Sequence, residues 1–271
     1  MRILRFTVTV IFVITGLLFS VFYFGEKINT DTTIPVITVE SPLLEVDIGA
    51  TEKDFLQGVT AYDEKDKDLT DKIIVESVSK FLDDGVCKVT YAVCDSNNNV
   101  ANATRKIKYK NYVSPQFSMS KSTCYSIYEN INISDVIKAN DCIDGDISRN
   151  IIITSEDFTK SVAGVFTIEV SVTNSKGDLS MIKIPLIVED RSLSAPKIEL
   201  SKYLVYVEAG KELDFSTMLL NATDNSGNNI TSSVRIESNV DFSMAGTYSV
   251  HYYVTDSKGV QGHTVLNVIV G

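Results

Sequence analysis

One phrase occurs three times in this chain and ends each time in Asp or Asn. In every copy a glycine is followed by apolar side chains at alternate positions, the period that places them on one face of a β-strand. The other face carries mostly Lys, Thr, Ser, Glu and His. The copies are GVCKVTYAVCD at 85–95, GVFTIEVSVTN at 164–174 and GTYSVHYYVTD at 246–256. A recurring half-buried strand predicts an array of like modules. Such arrays usually bind or space, and seldom catalyse.

An acidic phrase lies upstream of each copy of the strand. Its first Asp precedes the Asp or Asn that ends the strand by 32 or 33 residues, and a Pro-containing segment opens each unit. The acidic phrases are AYDEKDKDLT at 61–70, ANDCIDGDIS at 139–148 and ATDNSGNNIT at 222–231. This register predicts three modules, at 34–112, 113–190 and 195–271, each of ordinary domain size.

Within a module the sequence predicts an all-β fold. Short runs rich in Ile, Val, Tyr and Thr alternate with clusters of Asp, Asn, Ser and Gly, a pattern typical of a β-sandwich. Gly or Asn in the turn after each repeated strand supplies the positive φ that a hairpin needs. The repeated strand and the last strand of each module are therefore predicted to pair. Residues 190–194 are predicted to be a linker that permits bending between modules two and three.

The N-terminal segment predicts the compartment. Arg2 and Arg5 precede an uncharged, mainly apolar run at 6–24, which would cover roughly 30 Å as a transmembrane helix. Positive charge before the run predicts a cytoplasmic N-terminus at 1–5, a spacer at 25–33 and extracellular modules after it. A cleavage site of small residues is poorly formed, which favours an uncleaved, single-pass signal anchor in the cell membrane. A cleaved signal peptide on a secreted protein is the alternative.

Charge and motifs exclude two classes of function. A formal net charge of −10 argues against a nucleic-acid partner, which requires a basic surface. The only histidines are His251, on the outward face of its strand, and His263, at the start of the last strand; both are expected to be exposed, and neither has a motif partner. The sequence contains no nucleophile elbow, zinc-protease motif or phosphate-binding loop, so the chain is predicted not to be an enzyme.

The acidic phrases are the candidate metal sites. Modules one and two each place three aspartates within six residues, and Ca²⁺ prefers clustered oxygen ligands. The candidate ligands are Asp63, Asp66 and Asp68 in module one and Asp141, Asp144 and Asp146 in module two. The alternative is turn chemistry, in which the first Asp caps the turn, Gly145 supplies a positive φ and the other acids are solvated. No other cofactor is predicted.

Four cysteines in an exported chain allow disulfides. Cys87 and Cys94 lie on opposite faces of one strand and too far apart to pair; Cys87 is predicted to be buried and Cys94 to be exposed. In module two, an antiparallel return of the chain would bring Cys124 and Cys142 together. A Cys124–Cys142 disulfide and two unpaired thiols are both kept as predictions.

The acidic phrase and the repeated strand together carry a family resemblance. The pattern Ala-x-Asp-x-x-Asp-Gly-Asp-Ile, followed by Gly-x-Tyr-x-Val-x-Tyr-x-Val-x-Asp-x-x-Gly, resembles the bacterial immunoglobulin-like domain named after pesticidal crystal proteins, a relative of the hyalin repeat. The resemblance covers 34–271, with departures at Lys67, which replaces the Gly of the first acidic loop, and at Asn174, which replaces the Asp at the end of the second strand copy. It implies three tandem immunoglobulin-like β-sandwiches after the N-terminal transmembrane helix. Such domains occur in tandem on exported and surface proteins of Gram-positive bacteria, as spacers, adhesive modules or accessories to enzymes.

Two function hypotheses follow. The first is a non-catalytic, membrane-anchored array at the bacterial cell surface, a spacer, adhesive or protein-interaction module whose partner is a surface protein or glycan. The alternative is a ligand-binding module for cell-wall carbohydrate or Ca²⁺, or an accessory subunit of an enzyme or transport complex. Carbohydrate platforms usually need exposed aromatic side chains, and the chain has no Trp. A tyrosine patch is the only substitute, and its candidates are Tyr125, Tyr128, Tyr203, Tyr206 and Tyr253. The first hypothesis is favoured.

Overall fold

A computed structural model of the chain describes residues 2–29, 32–130, 132–155 and 162–271. Contacts between Cα atoms divide the chain into two compact units, Met1–Lys110 and Asn111–Gly271. The first unit contains an N-terminal helix and one β-sandwich. The second unit contains two β-sandwiches that pack on each other.

The N-terminal helix, α1, spans Arg2–Asn29. Its segment Arg5–Phe24 is long and apolar enough to cross a membrane, with a mean hydropathy of 2.2 and no part of it buried in the protein. This segment coincides with the predicted apolar run. The helix continues through residues 25–29, so the first half of the predicted spacer is helical, and residues 30 and 31 of that spacer lie outside the described residues.

The first sandwich has seven strands in two sheets. The strands are β1 (Val36–Val39), β2 (Leu43–Val46), β3 (Val59–Asp63), β4 (Lys67–Asp68), β5 (Ile74–Val78), β6 (Val86–Cys94) and β7 (Val100–Tyr109). One sheet has the strand order β1-β3-β4 and the other β2-β7-β6-β5. A short helix, α2 (Glu52–Phe55), connects β2 to β3, and a 3₁₀ turn at Thr70–Lys72 connects β4 to β5.

The second sandwich repeats this arrangement, with seven strands among its described residues. They are β8 (Gln116–Met119), β9 (Cys124–Ser126), β10 (Ile137–Asp141), β11 (Gly145–Asp146), β12 (Ile152–Ser155), β13 (Gly164–Thr173) and β14 (Leu179–Glu189). The sheets have the orders β8-β10-β11 and β9-β14-β13-β12. Short 3₁₀ turns lie at Ile133–Asp135 and Ser148–Asn150.

The third sandwich has six strands. They are β15 (Lys197–Leu200), β16 (Leu204–Val207), β17 (Leu219–Thr223), β18 (Arg235–Ser238), β19 (Gly246–Thr255) and β20 (Gln261–Val270). The sheets have the orders β15-β17 and β16-β20-β19-β18, and 3₁₀ turns lie at Phe215–Met218 and Thr231–Ser233. An isolated bridge between Thr223 and Asn229 stands where the other two modules have a short strand.

The repeated phrase forms a central strand of the larger sheet in each module: β6, β13 and β19. Each pairs antiparallel with the last strand of its module, as the hairpin prediction required. The predicted alternation is confirmed, because Tyr91, Val170 and Tyr252 occupy corresponding inward positions and each is completely buried. Cys87 is likewise buried and Cys94 is exposed, as expected.

The strand β9 explains why the predicted disulfide is wrong. The first strand of module two, β8, pairs antiparallel with β10, whereas β9 has crossed to the other sheet and runs parallel to β14. Cys124 on β9 and Cys142 after β10 therefore belong to different sheets. Neither forms a disulfide, and the Cys142 thiol donates a hydrogen bond to Val113 O at 3.3 Å. The antiparallel return that would join them does not exist.

Candidate functional site

The second and third sandwiches meet along an uncovered edge of β20. The neighbouring strand β16 pairs with β20 only from Asn267 onward, so the earlier residues of β20 lack a strand partner on that side. Ser122 of module two takes this place: its Oγ accepts a hydrogen bond from Val265 N at 2.9 Å and donates to Val265 O at 3.3 Å. Because unpaired backbone groups are costly to bury, this side chain stabilises the junction.

The segment between the two modules also belongs to the junction. A guanidinium nitrogen of Arg191 donates a hydrogen bond to His263 O at 2.6 Å, and Ser126 Oγ donates to Arg191 O. Residues 190–194 join β14 to β15 as predicted, and the bending expected of them stays a prediction. Their composition resembled a linker, but both the side chain and the carbonyl of Arg191 are engaged by the sandwiches on either side.

Three donor groups of different chemistry converge at this junction. Cys124 Sγ on β9 lies 3.2 Å from His263 Nδ1 on β20, and the same nitrogen lies 2.6 Å from Oε1 of Glu189, the last residue of β14. The three donor atoms all lie within 4.8 Å of one another. In the part of the chain that the structure describes, no other group of three His, Cys, Asp or Glu side chains comes so close. We call these three residues the junction cluster.

The imidazole of His263 is held by a stacked ring and by contacts at both nitrogens. Tyr253 is its partner across β19 and β20, and the two rings stack with centroids 4.3 Å apart. His251 Nδ1 lies 2.9 Å from His263 Nε2. Arg235 in turn lies over the ring of Tyr253, 5.3 Å from its centroid. The orientation of His263 is thus set by its surroundings before any ligand arrives.

Burial determines the charges of the junction cluster. It raises the pKa of the Cys124 thiol far above its usual range, and the nearby carboxylate of Glu189 adds to this effect. The hydrogen bond with His263 lowers the pKa of Glu189. Burial also lowers the pKa of His251, and the neighbouring His263 adds to this shift. At neutral pH the cluster therefore contains a protonated thiol and a carboxylate, and the neighbouring His251 is neutral.

This geometry does not match a catalytic triad. In a triad the imidazole contacts the nucleophile through one ring nitrogen and the orienting acid through the other. Here Nδ1 of His263 contacts both Cys124 and Glu189, and Nε2 is directed to His251. A thiol whose pKa is raised by burial is also a poor nucleophile. The donor set of sulfur, nitrogen and oxygen is instead of the kind that holds Zn²⁺.

The expectation of an exposed His263 is wrong, because only 8% of its surface is accessible. Its cluster partners gave no signal in the sequence. Glu189 and His263 are 74 residues apart, Cys124 is in a different strand again, and no motif contains all three. The cluster exists because β9, β14 and β20 converge, which no local pattern encodes.

The acidic loops are arranged as a set of separate turns. In module two, Asp141 Oδ1 accepts hydrogen bonds from two backbone N–H groups of its own loop, each at 2.9 Å. Asp144 accepts from the backbone and hydroxyl of Ser175, in the hairpin turn after β13, at 2.6 and 2.7 Å. Asp146 accepts from the backbone N–H of Ser148 at 2.9 Å. Each carboxylate thus stabilises a different segment.

Module one repeats these roles. Asp63 Oδ1 accepts from two backbone N–H groups of its own loop, Asp66 accepts from Ser96 N in the hairpin turn, and Asp68 accepts from Thr70 N, all at 2.8 or 2.9 Å. These are the contacts of the turn-chemistry alternative. Ca²⁺ binding by either loop stays a prediction.

The predicted tyrosine patch is largely used inside the protein. Tyr125 is buried in the core of module two, Tyr203 packs against the cores of modules two and three, and Tyr253 stacks on His263. Tyr206 receives a hydrogen bond from the backbone N–H of Phe117, on module two. Of the five candidates, only Tyr128, at 61% exposed, is predominantly on the surface.

A cleft of about 570 Å³ lies beside the junction cluster. Its wall includes Lys121, Ser122, Cys124, Glu129, Arg191 and His263. The two sandwiches therefore form a polar groove with the buried thiol and imidazole in its wall.

The comparisons with known proteins agree with the architecture. Residues 202–270 match the family model described as bacterial surface protein, Ig-like domain. Over 134 residues the chain is 35% identical to pesticidal crystal protein Cry22Aa of Bacillus thuringiensis; the match covers 49% of this chain and 18% of that protein. It is 28% identical over 161 residues to an uncharacterized 81.3 kDa protein of Acholeplasma phage L2, which covers 52% of this chain and 22% of the phage protein. The chain thus spans about a fifth of the length of these curated relatives.

Solved structures give a weaker likeness. The M60 catalytic domain with the CBM51-1 and CBM51-2 domains of Clostridium perfringens ZmpB aligns with 89% of this chain and 31% of its own, at 19% identity and a TM-score of 0.25. The protocadherin GammaB4 extracellular domain aligns with 88% of this chain and 49% of its own, at 12% identity and a TM-score of 0.21. These scores carry no argument about function. The predicted fold class and the predicted resemblance to bacterial immunoglobulin-like domains of the pesticidal-crystal-protein type are confirmed.

Proposed function

We propose, from the premise that these are bacterial surface immunoglobulin-like modules, that the chain is a non-catalytic array displayed outside the cell and anchored by α1. Its modules serve as a spacer and as an adhesive or protein-interaction surface. The family match and the apolar N-terminal helix support a membrane-anchored or secreted surface interaction protein. We infer the anchoring by α1, its orientation and the adhesive role from this support.

The observation that carries the proposal is the packed junction between modules two and three. Ser122 and Arg191 satisfy backbone groups of β20, and the small apolar cluster of Cys124, Ile187 and Val265 is buried beside them. A spacer must resist bending between its modules, and specific contacts of this kind provide that resistance. An array of flexibly linked domains would not need them.

The site chemistry supports a non-catalytic role. In the junction cluster, Cys124 and Glu189 contact the same nitrogen of His263, whereas in a triad the nucleophile and the acid contact different nitrogens. The thiol of Cys124 also keeps its proton. The acidic loops use their carboxylates to hold turns. Neither arrangement presents an activated nucleophile or a general base next to an open substrate position.

Thiol labelling on intact cells tests the topology, because the chain carries two exposed cysteines, Cys94 and Cys142. A membrane-impermeant maleimide is expected to label the full chain without lysis. The matched control is the double variant Cys94→Ser, Cys142→Ser, in which labelling should fall to background because Cys87 and Cys124 are buried. Labelling only after permeabilisation would contradict an extracellular location. The mass of the membrane-extracted chain separates an uncleaved anchor from a cleaved signal peptide.

Binding of the full chain in detergent micelles tests the adhesive role. We expect saturable binding to intact Gram-positive cells that is lost after surface proteins are removed with protease. Saturable binding to purified wall polysaccharide would instead favour the carbohydrate-binding alternative, above all if Tyr128→Ala removed it. Tyr62→Ala is the matched control, since Tyr62 is similarly exposed, at 54%, on module one.

A further inference from the structure

We propose that Cys124, Glu189 and His263 form a binding site for a thiophilic divalent cation, zinc above all, at the junction of modules two and three. This goes beyond the proposed function and does not depend on what the array binds. Two ligands come from module two and one from module three, so a bound ion joins the two sandwiches directly.

The donor set selects the metal. A thiolate, an imidazole and a carboxylate suit zinc, whereas Ca²⁺ and Mg²⁺ take oxygen ligands. With ordinary zinc distances and tetrahedral angles, the sulfur and nitrogen would lie about 3.6 Å apart and the nitrogen and oxygen about 3.3 Å apart. The corresponding separations here are 3.2 and 2.6 Å. These two separations must therefore widen by less than 1 Å, which lies within the reach of rotamer adjustments, and all three donor atoms already lie within 4.8 Å of one another.

Neighbouring groups already orient the ligands. With Nδ1 of His263 on the ion, the ring carries its proton on Nε2 and donates it to His251 Nδ1, 2.9 Å away. Arg191 lies 3.7 Å from Glu189 Oε2, on the opposite oxygen from the one that faces His263. Support of this kind by outer groups is typical of zinc sites. The positive charge of Arg191 opposes a cation, but the thiolate and the carboxylate together balance the two charges of the ion.

The protons of the binding step balance simply. The Cys124 thiol gives its proton to solvent, and the proton of His263 that lies between Nδ1 and Glu189 moves to Nε2. The neutral His251 exchanges its own proton from Nδ1 to Nε2, so that its Nδ1 can accept the hydrogen bond from His263. The ion then accepts electron pairs from the sulfur, from Nδ1 and from a Glu189 oxygen, with a water from the cleft as fourth ligand. One proton is released for each ion bound to the neutral-imidazole form.

An ion can reach the site from solvent. The side chain of Glu189 is 31% exposed although the other two ligands are buried. The cleft of about 570 Å³ contains Cys124 and His263 in its wall. A second cavity of about 520 Å³ is lined by Glu189, Arg191 and His263. His263 thus lines both cavities, which gives the ion a path without unfolding the junction.

Metal titration of the full chain, reduced, chelator-treated and held in detergent micelles, tests the proposal. Competition with a chromophoric chelator is expected to give one zinc ion per chain. Co²⁺ is expected to produce a near-ultraviolet charge-transfer band from the thiolate, a readout that needs no variant. Cys124→Ser and His263→Gln should weaken zinc binding at least about 100-fold, since changes to outer groups alone cost 10–100-fold at such sites. Glu189→Gln should weaken it less, because the amide oxygen remains.

The matched controls are Cys94→Ser and Cys142→Ser, which remove thiols outside the cluster and should leave both zinc affinity and the Co²⁺ band unchanged. Circular dichroism of each variant identifies any that fails to fold. If the cluster variants fail to fold, the Co²⁺ band of the wild-type chain tests the proposal instead. Absence of saturable zinc binding, absence of the thiolate band, or unchanged affinity in a folded Cys124→Ser chain would overturn the proposal. If the chain is labelled on intact cells but does not bind zinc, the zinc proposal is wrong and the proposed surface location is unaffected.

Discussion

The backbone N–H of Phe117, on module two, donates a hydrogen bond of 2.9 Å to the hydroxyl oxygen of Tyr206, on module three. Phe117 belongs to β8 and is buried, whereas Tyr206 lies in β16. The tyrosine thus supplies an acceptor to a strand of the other sandwich. This bond lies at the same junction as the contacts of Ser122 and Arg191 with β20.

Tyr206→Phe should loosen the junction. It removes the acceptor of the Phe117 N–H and costs about 1 kcal/mol, a factor of about 5 in the local opening equilibrium. Amide hydrogen exchange is expected to accelerate by that factor at Phe117. Tyr62→Phe is the control, on an exposed side chain of module one. Equal exchange at Phe117 in the wild type and in Tyr206→Phe would show that the hydroxyl does not hold the junction.

The tyrosines Tyr91 and Tyr252 occupy corresponding positions in modules one and three but should respond differently to loss of the hydroxyl. Tyr91 donates to Phe55 O at 2.7 Å and accepts from Arg105 Nε at 2.8 Å, and Arg105 is only 4% exposed. Tyr91→Phe therefore leaves a buried charged donor without this acceptor and should cost about 2–3 kcal/mol.

Tyr252→Phe loses only the bond that Tyr252 donates to Phe215 O at 2.8 Å and should cost about 1 kcal/mol. Calorimetric melting of each variant measures the two losses. Equal decreases in melting temperature would contradict a specific contribution from Arg105.

Lys67 is a site where a substitution should stabilise the protein. It has a φ of 68°, the left-handed region in which module two has Gly145, with a φ of 72°. A residue with a side chain pays about 1–2 kcal/mol there, partly offset by the greater unfolded-state freedom of glycine. Lys67→Gly should stabilise the first module by up to about 1 kcal/mol. Gly145→Ala should destabilise the second by about 1–2 kcal/mol; denaturant unfolding that gave both changes the same sign would refute this account.

Gly262 lies where two segments of the backbone of module three approach each other closely. A Cβ at this position would lie 2.2 Å from Pro196 O, so Gly262→Ala forces backbone movement. We expect a loss of about 1–3 kcal/mol, as for overpacked sites. Gly49→Ala is the control, because its Cβ would meet nothing within 4 Å and its effect should stay within about 0.5 kcal/mol. Equal thermal stability of the two variants would be the contrary result.

Acid should destabilise the modules through their turn carboxylates. Hydrogen bonds from Ser96 hold the pKa of Asp66 below its usual range, and those from Ser148 do the same for Asp146. A carboxyl group whose pKa is lower in the folded state stabilises the fold above its unfolded pKa of about 3.9, and this contribution is lost as pH falls further. Melting temperature should therefore be steady above about pH 5 and decline below about pH 4. In Asp66→Asn, which keeps an acceptor for Ser96 N, the decline should be shallower; identical profiles would contradict the assignment.

Much of the fold was predictable because it depends on local patterns. The period of two in β6, β13 and β19 reports which face of the sheet is buried, and this holds in all three modules. Turn chemistry was equally informative: Asn98, Gly177 and Gly259 adopt the positive φ that the hairpins require. Asp141 and Asp63 cap their loops as the turn alternative described.

The candidate site was not predictable from such patterns. The sequence did not predict the contacts of Arg191 with both sandwiches, and the expectation of an exposed His263 was wrong. The disulfide between Cys124 and Cys142 failed because β9 joins the opposite sheet, a choice that depends on long-range pairing with β14.

The repeat by itself determined that this chain is a series of three β-sandwiches, because burial of alternate side chains and positive-φ turns are properties of neighbouring residues. Only the tertiary structure decided what lies between the second and third. β16 is too short to cover the edge of β20, and Ser122 and Arg191 form hydrogen bonds with backbone groups of β20 at this uncovered edge. That contact is what places Cys124 and His263 within 3.2 Å of each other, although 139 residues separate them along the chain.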